Sequence, residues 1–215
     1  MQEQDFPALY RSADDLSLKS QQQFFGALRV HLVTLVVAAI LSIVSIPHWS
    51  VAAAQLLARL GALGCSIYRF AMRPDRCWYA GRAVAESIKT ITWRYVCRAE
   101  PFQGDDASAR NDFRQTLKQI VEQNREVCQS LTEHLDGLQF TPVMEQMRAR
   151  TLEERRATYA DCRIKDQLTW YAKKAAFNRR MSRYFFWALI GVNTIAVVCA
   201  VLRMVYVDQP FWPTD

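Results

Sequence analysis

The chain has 215 residues, 51% of them hydrophobic and 22% charged, with 27 Lys and Arg against 21 Asp and Glu and only seven Gly and seven Pro. Such a composition excludes disorder and a turn-rich β fold and points to helix. The mean hydropathy of −0.10 would suit a soluble domain, but it averages unlike parts: residues 30–73 carry three basic and no acidic groups, residues 74–183 carry 20 and 15, and residues 184–215 carry one and two.

Residues 1–29 are polar and are read as a cytosolic N-terminal segment. They show no charged-then-apolar leader pattern, so insertion is expected to rest on the first spanning helix. Residues 30–46 are apolar, and at ~1.5 Å per residue they cover roughly 25 Å, slightly less than a ~30 Å hydrocarbon core. Pro47-His48-Trp49-Ser50 stops that run, and residues 51–72 supply a second one. Residues 30–73 are therefore predicted to form a transmembrane hairpin, with Trp49 as an interface anchor. On its second span Gln55, Arg59, Ala62, Ser66, Arg69 and Arg73 recur at helical steps, and on the first His31, Thr34, Ala38, Ser42 and Ser45 do the same. An Arg near mid-membrane costs ~2.5–3.5 kcal/mol on insertion scales. These stripes, with Asn193 further on, are accordingly candidates to line an aqueous lumen. The alternative is a packed three-helix unit in which Arg59 snorkels or bonds to Asn193. Ala54, Ala58, Gly61 and Cys65 make a neighbouring small-residue face suited to close contact within the hairpin.

Residues 74–183 read as a cytosolic helical region, either a bundle or a coiled coil. Trp78, Gly81, Ala85, Ile88, Thr92, Val96 and Ala99 predict a helix ending by Pro101. Phe113, Leu117, Ile120, Asn124, Val127 and Leu131 alternate steps of four and three, a heptad seam with Asn124 at an a position. That seam asks for a partner helix, and hence a homo-oligomer is expected. Thr141-Pro142 and Thr151-x-x-Glu154 read as helix starts, the second running unbroken into residues 184–207, a third transmembrane helix. Arg179, Arg180 and Arg183 precede that helix, and the aromatics Tyr184, Phe185, Phe186 and Trp187 open it. The hairpin turn has no Lys or Arg, whereas Arg69, Arg73, Arg76 and Arg82 follow the second span. By the positive-inside rule the N-terminus and residues 74–183 lie in the cytoplasm, and the turn and the tail 208–215 lie outside. The fold class is thus all-α, an integral membrane helical protein.

Acids are mixed with the basic groups of the middle region at helical spacing, which argues for a solvated surface and against nucleic-acid binding. Arg82, Glu86 and Lys89 read as ordinary helix-surface pairs worth ~0.2–0.5 kcal/mol each. Trp78, Trp93, Tyr95, Trp170 and Tyr171 read as helical core. Six scattered cysteines and three separated histidines give no metal spacing, and no phosphate-cradling loop or nucleophile arrangement occurs. No cofactor, metal or enzymatic activity is expected.

Three strings then stand together: Tyr10-Arg11-Ser12-Ala13-Asp14 with Ser17 and Gln21; Arg73-Pro74 through Trp78-Tyr79, Arg82-Ala83, Ala85-Glu86, Ile88-Lys89-Thr90, Trp93-Arg94-Tyr95 and Glu100-Pro101-Phe102; and Arg163 with Asp166-Gln167, Trp170-Tyr171, Lys173, Asn178 and Arg180. They resemble the SLATT superfamily, the SMODS- and SLOG-associating two-transmembrane effector proteins, in the branch known as domain of unknown function 4231. The resemblance covers nearly the whole chain and is most specific in the central string. It implies an effector of a bacterial conflict or anti-phage system in the inner membrane. Such an effector forms a pore or perturbs the bilayer when a nucleotide-sensing partner is triggered, and the family brings no catalytic residues. Relatives of this kind tend to continue into a further hydrophobic helix, whereas Phe211-Trp212-Pro213-Thr214-Asp215 closes this sequence, through truncation or as an extracytoplasmic C-terminus. The competing expectation is a non-pore, membrane-anchored adaptor whose cytosolic helices dock another protein.

Overall fold

A computed structural model describes residues 1–43, 48–131, 134 and 136–205, with the backbone alone at Ile43 and Arg203. Among these residues the chain is helical with no strand, and three helices are long and apolar enough to cross a membrane. Ser45, Pro47 and the tail 208–215 lie outside the described residues. Two compact units divide the chain, Met1–Ala157 and Thr158–Asp215.

In the first unit, Pro7 leads into α1 (Ala8–Ile43). A helix leaves its opening N–H groups without internal partners, and here a distant segment takes two of them. Ala8 N donates to Leu138 O (3.0 Å) and Leu9 N to Gln139 Oε1 (3.3 Å). Gly137 permits that approach, since a Cβ there would lie 2.7 Å from Ala8 Cβ and 3.0 Å from Arg11 Nη2. His48 caps α2 (Trp49–Met72), its ring accepting from Ser50 N. Arg73 ends α2 in left-handed backbone (φ 43°, ψ 52°), and Pro74 opens α3 (Pro74–Val96) at the position where a missing N–H costs least.

α2 and α3 run in succession along α1, antiparallel to it. Gln55 meets Ser42, Gly61 meets Thr34, Ala62 meets His31 and Arg69 meets Phe24. Past the break, Trp78 meets Phe24 and Ser17, and Gly81 lies against Ala13 and Ser17. Residue numbers fall on one rod as they rise on the other, so the pairing carries through Arg73 without a jump in register.

Three shorter helices close over α3: α4 (Asp106–Gln123), the single turn α5 (Arg125–Cys128) and α6 (Pro142–Arg148). Asp105 caps α4 by accepting from Ala107 N and Ser108 N, and Thr141 caps α6 by accepting from Met144 N, as its place before Pro142 predicts. With the start of α1 they bury one core containing Phe6, Tyr10, Ile88, Tyr95, Phe113 and Met144. Tyr95 is its hub, with ring centroids 5.0 Å from Phe113 and 5.7 Å from Phe140. Each large apolar side chain fully buried there contributes ~1.5–3 kcal/mol.

Thr151 and Glu154 form the expected capping box at α7 (Leu152–Tyr159): Glu154 N donates to Thr151 Oγ1 (3.3 Å) and Thr151 N to Glu154 Oε2 (3.0 Å). The second unit is helical over all its described residues. A π-helical stretch, Ala160–Lys165, passes into α8 (Asp166–Val205). The helix expected from Thr151 thus reaches the third span, but through a widened turn. No described side chain of α8 is buried.

Candidate functional site

The polar stripes of the hairpin turn toward each other. Gln55 Nε2 donates to Ser42 Oγ (2.5 Å), and His31 Nδ1 lies 3.1 Å from the Ala62 carbonyl as its donor. Thr34 spends its hydroxyl on the carbonyls of Val30 and His31, while its methyl touches the site of a Cβ at Gly61 (3.4 Å). Ala38 and Ala62 are buried between the rods. Ala54, Ala58, Gly61 and Cys65 are half-buried, whereas Leu56, Leu57, Leu60, Leu63 and Ile67 face outward. Small residues let the two backbones approach, and the polar groups find partners in the contact they make.

Two members of the second stripe stay on the outer flank. Ser66 is exposed and donates only to Ala62 O of its own helix (3.1 Å). Arg59 is exposed, with no hydrogen bond or ion pair to any described residue. It is the eleventh residue of α2, near the middle of the span. Arg69 is half-buried with its guanidinium 5.3 Å over Phe24, and its Nε is buried without a hydrogen-bond partner. In the second unit, Asn193 Nδ2 donates to Leu189 O (2.8 Å), a bond within α8.

Comparison with known families decides the identity. Residues 7–156 match the SMODS and SLOG-associating 2TM effector domain 3, and residues 159–215 match the SMODS and SLOG-associating 2TM effector domain 1. The chain belongs to the SLATT superfamily. The seam between the two matches falls where the two compact units divide, at residues 157 and 158. No curated protein and no solved structure matches the chain. SLATT domains are two-transmembrane effector domains associated with conflict systems.

The first two signature strings of this SLATT chain meet where the N-terminal half of α1 lies on α3. Asp14 accepts from Arg82 (3.1 Å), which also pairs with Glu86 (2.8 Å). Ser17 Oγ donates to Trp78 O (3.3 Å), and the Lys89 ammonium lies 5.7 Å from the ring centres of both Phe6 and Tyr10. Arg82, Glu86 and Lys89 are therefore joined to α1, beyond the helix-surface pairing that their spacing suggests. Burial pushes the Asp14 carboxyl up, against the pull of Arg82. Burial, then the charge of Asp14, pushes the Tyr10 phenol far up, so it stays protonated. An open polar cavity of about 530 Å³ adjoins them, lined by Gln2, Glu3, Arg11, Asp15 and His134 among others.

The heptad seam of residues 113–131 finds its partner inside the chain. Phe113, Leu117, Ile120 and Leu131 are buried in the common core, and Val127 is half-buried. Asn124 is not an a-position residue of a running helix. It ends α4 (φ −119°, ψ 36°) and donates to Ile120 O (2.9 Å). The expected oligomer seam is thus largely covered within this chain, with Asn124 at the helix end.

Sequence reasoning missed Arg148, whose side chain is 1% exposed. It donates to Asp106 Oδ1 (2.9 Å) and to the carbonyls of Tyr95 (2.6 Å), Phe102 (3.0 Å) and Gly104 (3.2 Å), with its carbon 4.6 Å over the Tyr95 ring. Its readable signal was the four-residue step from Met144, which puts both on one helix face. Tyr95 donates to Glu145 (3.1 Å), which pairs with Arg110 (2.9 Å). These groups fasten the turn between α3 and α4, and no group of three or more metal-ligating side chains occurs among the described residues.

Proposed function

We propose that this SLATT chain is a bacterial inner-membrane effector that assembles through its membrane hairpins and opens or perturbs the bilayer when a nucleotide-sensing partner signals. The observation that carries the reading is Arg59, a charged residue exposed at mid-span on an outer surface that is apolar but for Ser66. Facing lipid it would cost ~2.5–3.5 kcal/mol, which water or a neighbouring copy relieves. One two-helix hairpin whose rods touch along their length encloses no lumen, so the water-facing reading requires several copies. Arg59 and Ser66 then line the shared path. Gln55, His31, Thr34 and Ser42 hold each hairpin together behind them, and Arg69 stands at its inner mouth.

Arg59→Gln removes the charge but keeps polarity and much of the length. Reconstituted wild type should conduct with a preference for anions, because a fixed positive charge concentrates them. The variant should fold and shift its reversal potential toward cations. Unchanged selectivity with altered melting would overturn the pore-lining role, and absence of any flux would favour a membrane-anchored adaptor.

A further inference from the structure

The cytosolic approach to the third span carries an unmatched charge. From Gln167 to Val207 there is no acidic residue, while Lys173, Lys174, Arg179, Arg180 and Arg183 bring five positive charges within eleven positions. All five are exposed, and none pairs with a described carboxylate. Several basic groups elsewhere are held by carboxylates: Arg82 by Asp14 and Glu86, Arg110 by Glu145, Arg148 by Asp106, and Lys165 by Asp161. Along residues 167–207 no acidic neighbour exists to do the same.

The placement on the helix is one-sided. At 3.6 residues per turn Lys173, Arg179, Arg180 and Arg183 fall within an arc of about 120°. Lys174 lies outside it, 5.6 Å over the ring of Phe177. Between the four lie only Ala172 and Ala176, too small to cover a headgroup. Trp187 continues the same face one turn beyond Arg183, and Gly191 follows, where a Cβ would meet nothing within 4 Å. Arg179, Arg180 and Arg183 stand roughly 1.5–7.5 Å along the axis before Tyr184, which is headgroup depth if the aromatics mark the interface.

We propose that this face binds anionic phospholipid of the cytoplasmic leaflet. Arg180 and Arg183 take the phosphodiester, to which planar guanidinium groups donate in pairs. Trp187 and the open side of Gly191 take the glycerol and upper acyl chain. The inference rests on the third span and its charge, not on pore formation.

The test uses the full chain purified in neutral detergent, with bound lipid counted by native mass spectrometry during titration with phosphatidylglycerol or phosphatidylcholine. Wild type should prefer phosphatidylglycerol by roughly tenfold or more at low salt, each arginine near the surface adding to the attraction. Arg180→Gln/Arg183→Gln should lose most of that preference while keeping its helical circular dichroism. If the double variant does not fold, Arg183→Gln alone should lose part of it. Glycerol phosphate, which has the charge but no chains, should compete poorly. Equal binding of the two lipids by wild type, full preference in the folded variant, or displacement by glycerol phosphate at lipid concentrations would each overturn the proposal.

Discussion

Arg148 shows how one residue can hold a loop. Its guanidinium, buried against the Tyr95 ring, gathers three carbonyls from the end of α3 and the turn that leaves it and one carboxylate from the start of α4. Arg148→Met should lower the stability of the helical core by about 1–3 kcal/mol, since the Phe102 carbonyl is left buried without its donor, whereas Tyr95 O still accepts from Arg98 N. Urea denaturation in detergent followed by circular dichroism measures it, and a change within 1 kcal/mol would refute the role. The hydrogen bond from Arg148, foremost, holds the Asp106 carboxyl below its ordinary range. A carboxylate with a depressed folded pKa adds stability above its unfolded value, which is lost as pH falls through the folded one, so the wild type should weaken below about pH 4. Arg148→Met should flatten that acid limb. Asp14, pushed up by burial, works in the opposite sense and favours the fold on the acid side. A buried arginine is hard to read in a sequence because its residue type predicts a surface. Only its step from Met144 pointed inward.

At the level of helices, periodicity disclosed which faces are covered but not by what. The seam from Phe113 to Ile120 was legible, yet the same apolar step suits a second chain or the flank of α3, and the structure uses α3. Asn124 misled because a polar residue in a heptad seam and a residue ending a helix look alike in one sequence. The hairpin and the third span were legible because apolar runs of this length have few soluble uses. The polar stripes were legible as stripes, but their facing each other depends on the relative rotation of the rods, which no single helix encodes. Glycines separate contact from open face. A Cβ at Gly81 would lie 3.3 Å from the Ala13 carbonyl and Ser17 nitrogen, while one at Gly64 meets nothing within 4 Å. Gly81→Leu should therefore cost at least about 1–3 kcal/mol by prising α1 from α3, and Gly64→Leu should be silent. Melting the two variants side by side checks this, and equal effects would refute the α1–α3 contact.

For the whole molecule, the charge pattern predicts an orientation that labelling can test. His48 and Gln123 are both exposed. In a cysteine-free background, a cysteine at His48 should react with an impermeant reagent from outside the inner membrane, and one at Gln123 only after the membrane is opened. Equal reaction at both would reverse or dissolve the topology. The two rods of the first unit also differ mechanically. α1 runs unbroken over 36 residues, about 54 Å at the helical rise, from the aromatic core to the far end of the hairpin. Its companion is jointed at Arg73, a non-glycine residue in left-handed backbone. A load applied to the core therefore travels along α1 as through a strut, and the contacts from Gln55 to Arg69 pass it on to α2 beyond the elbow. Displacing the short helices that cover α3 would therefore carry the hairpin along as a block, with the bend at Arg73 absorbing the change between α2 and α3.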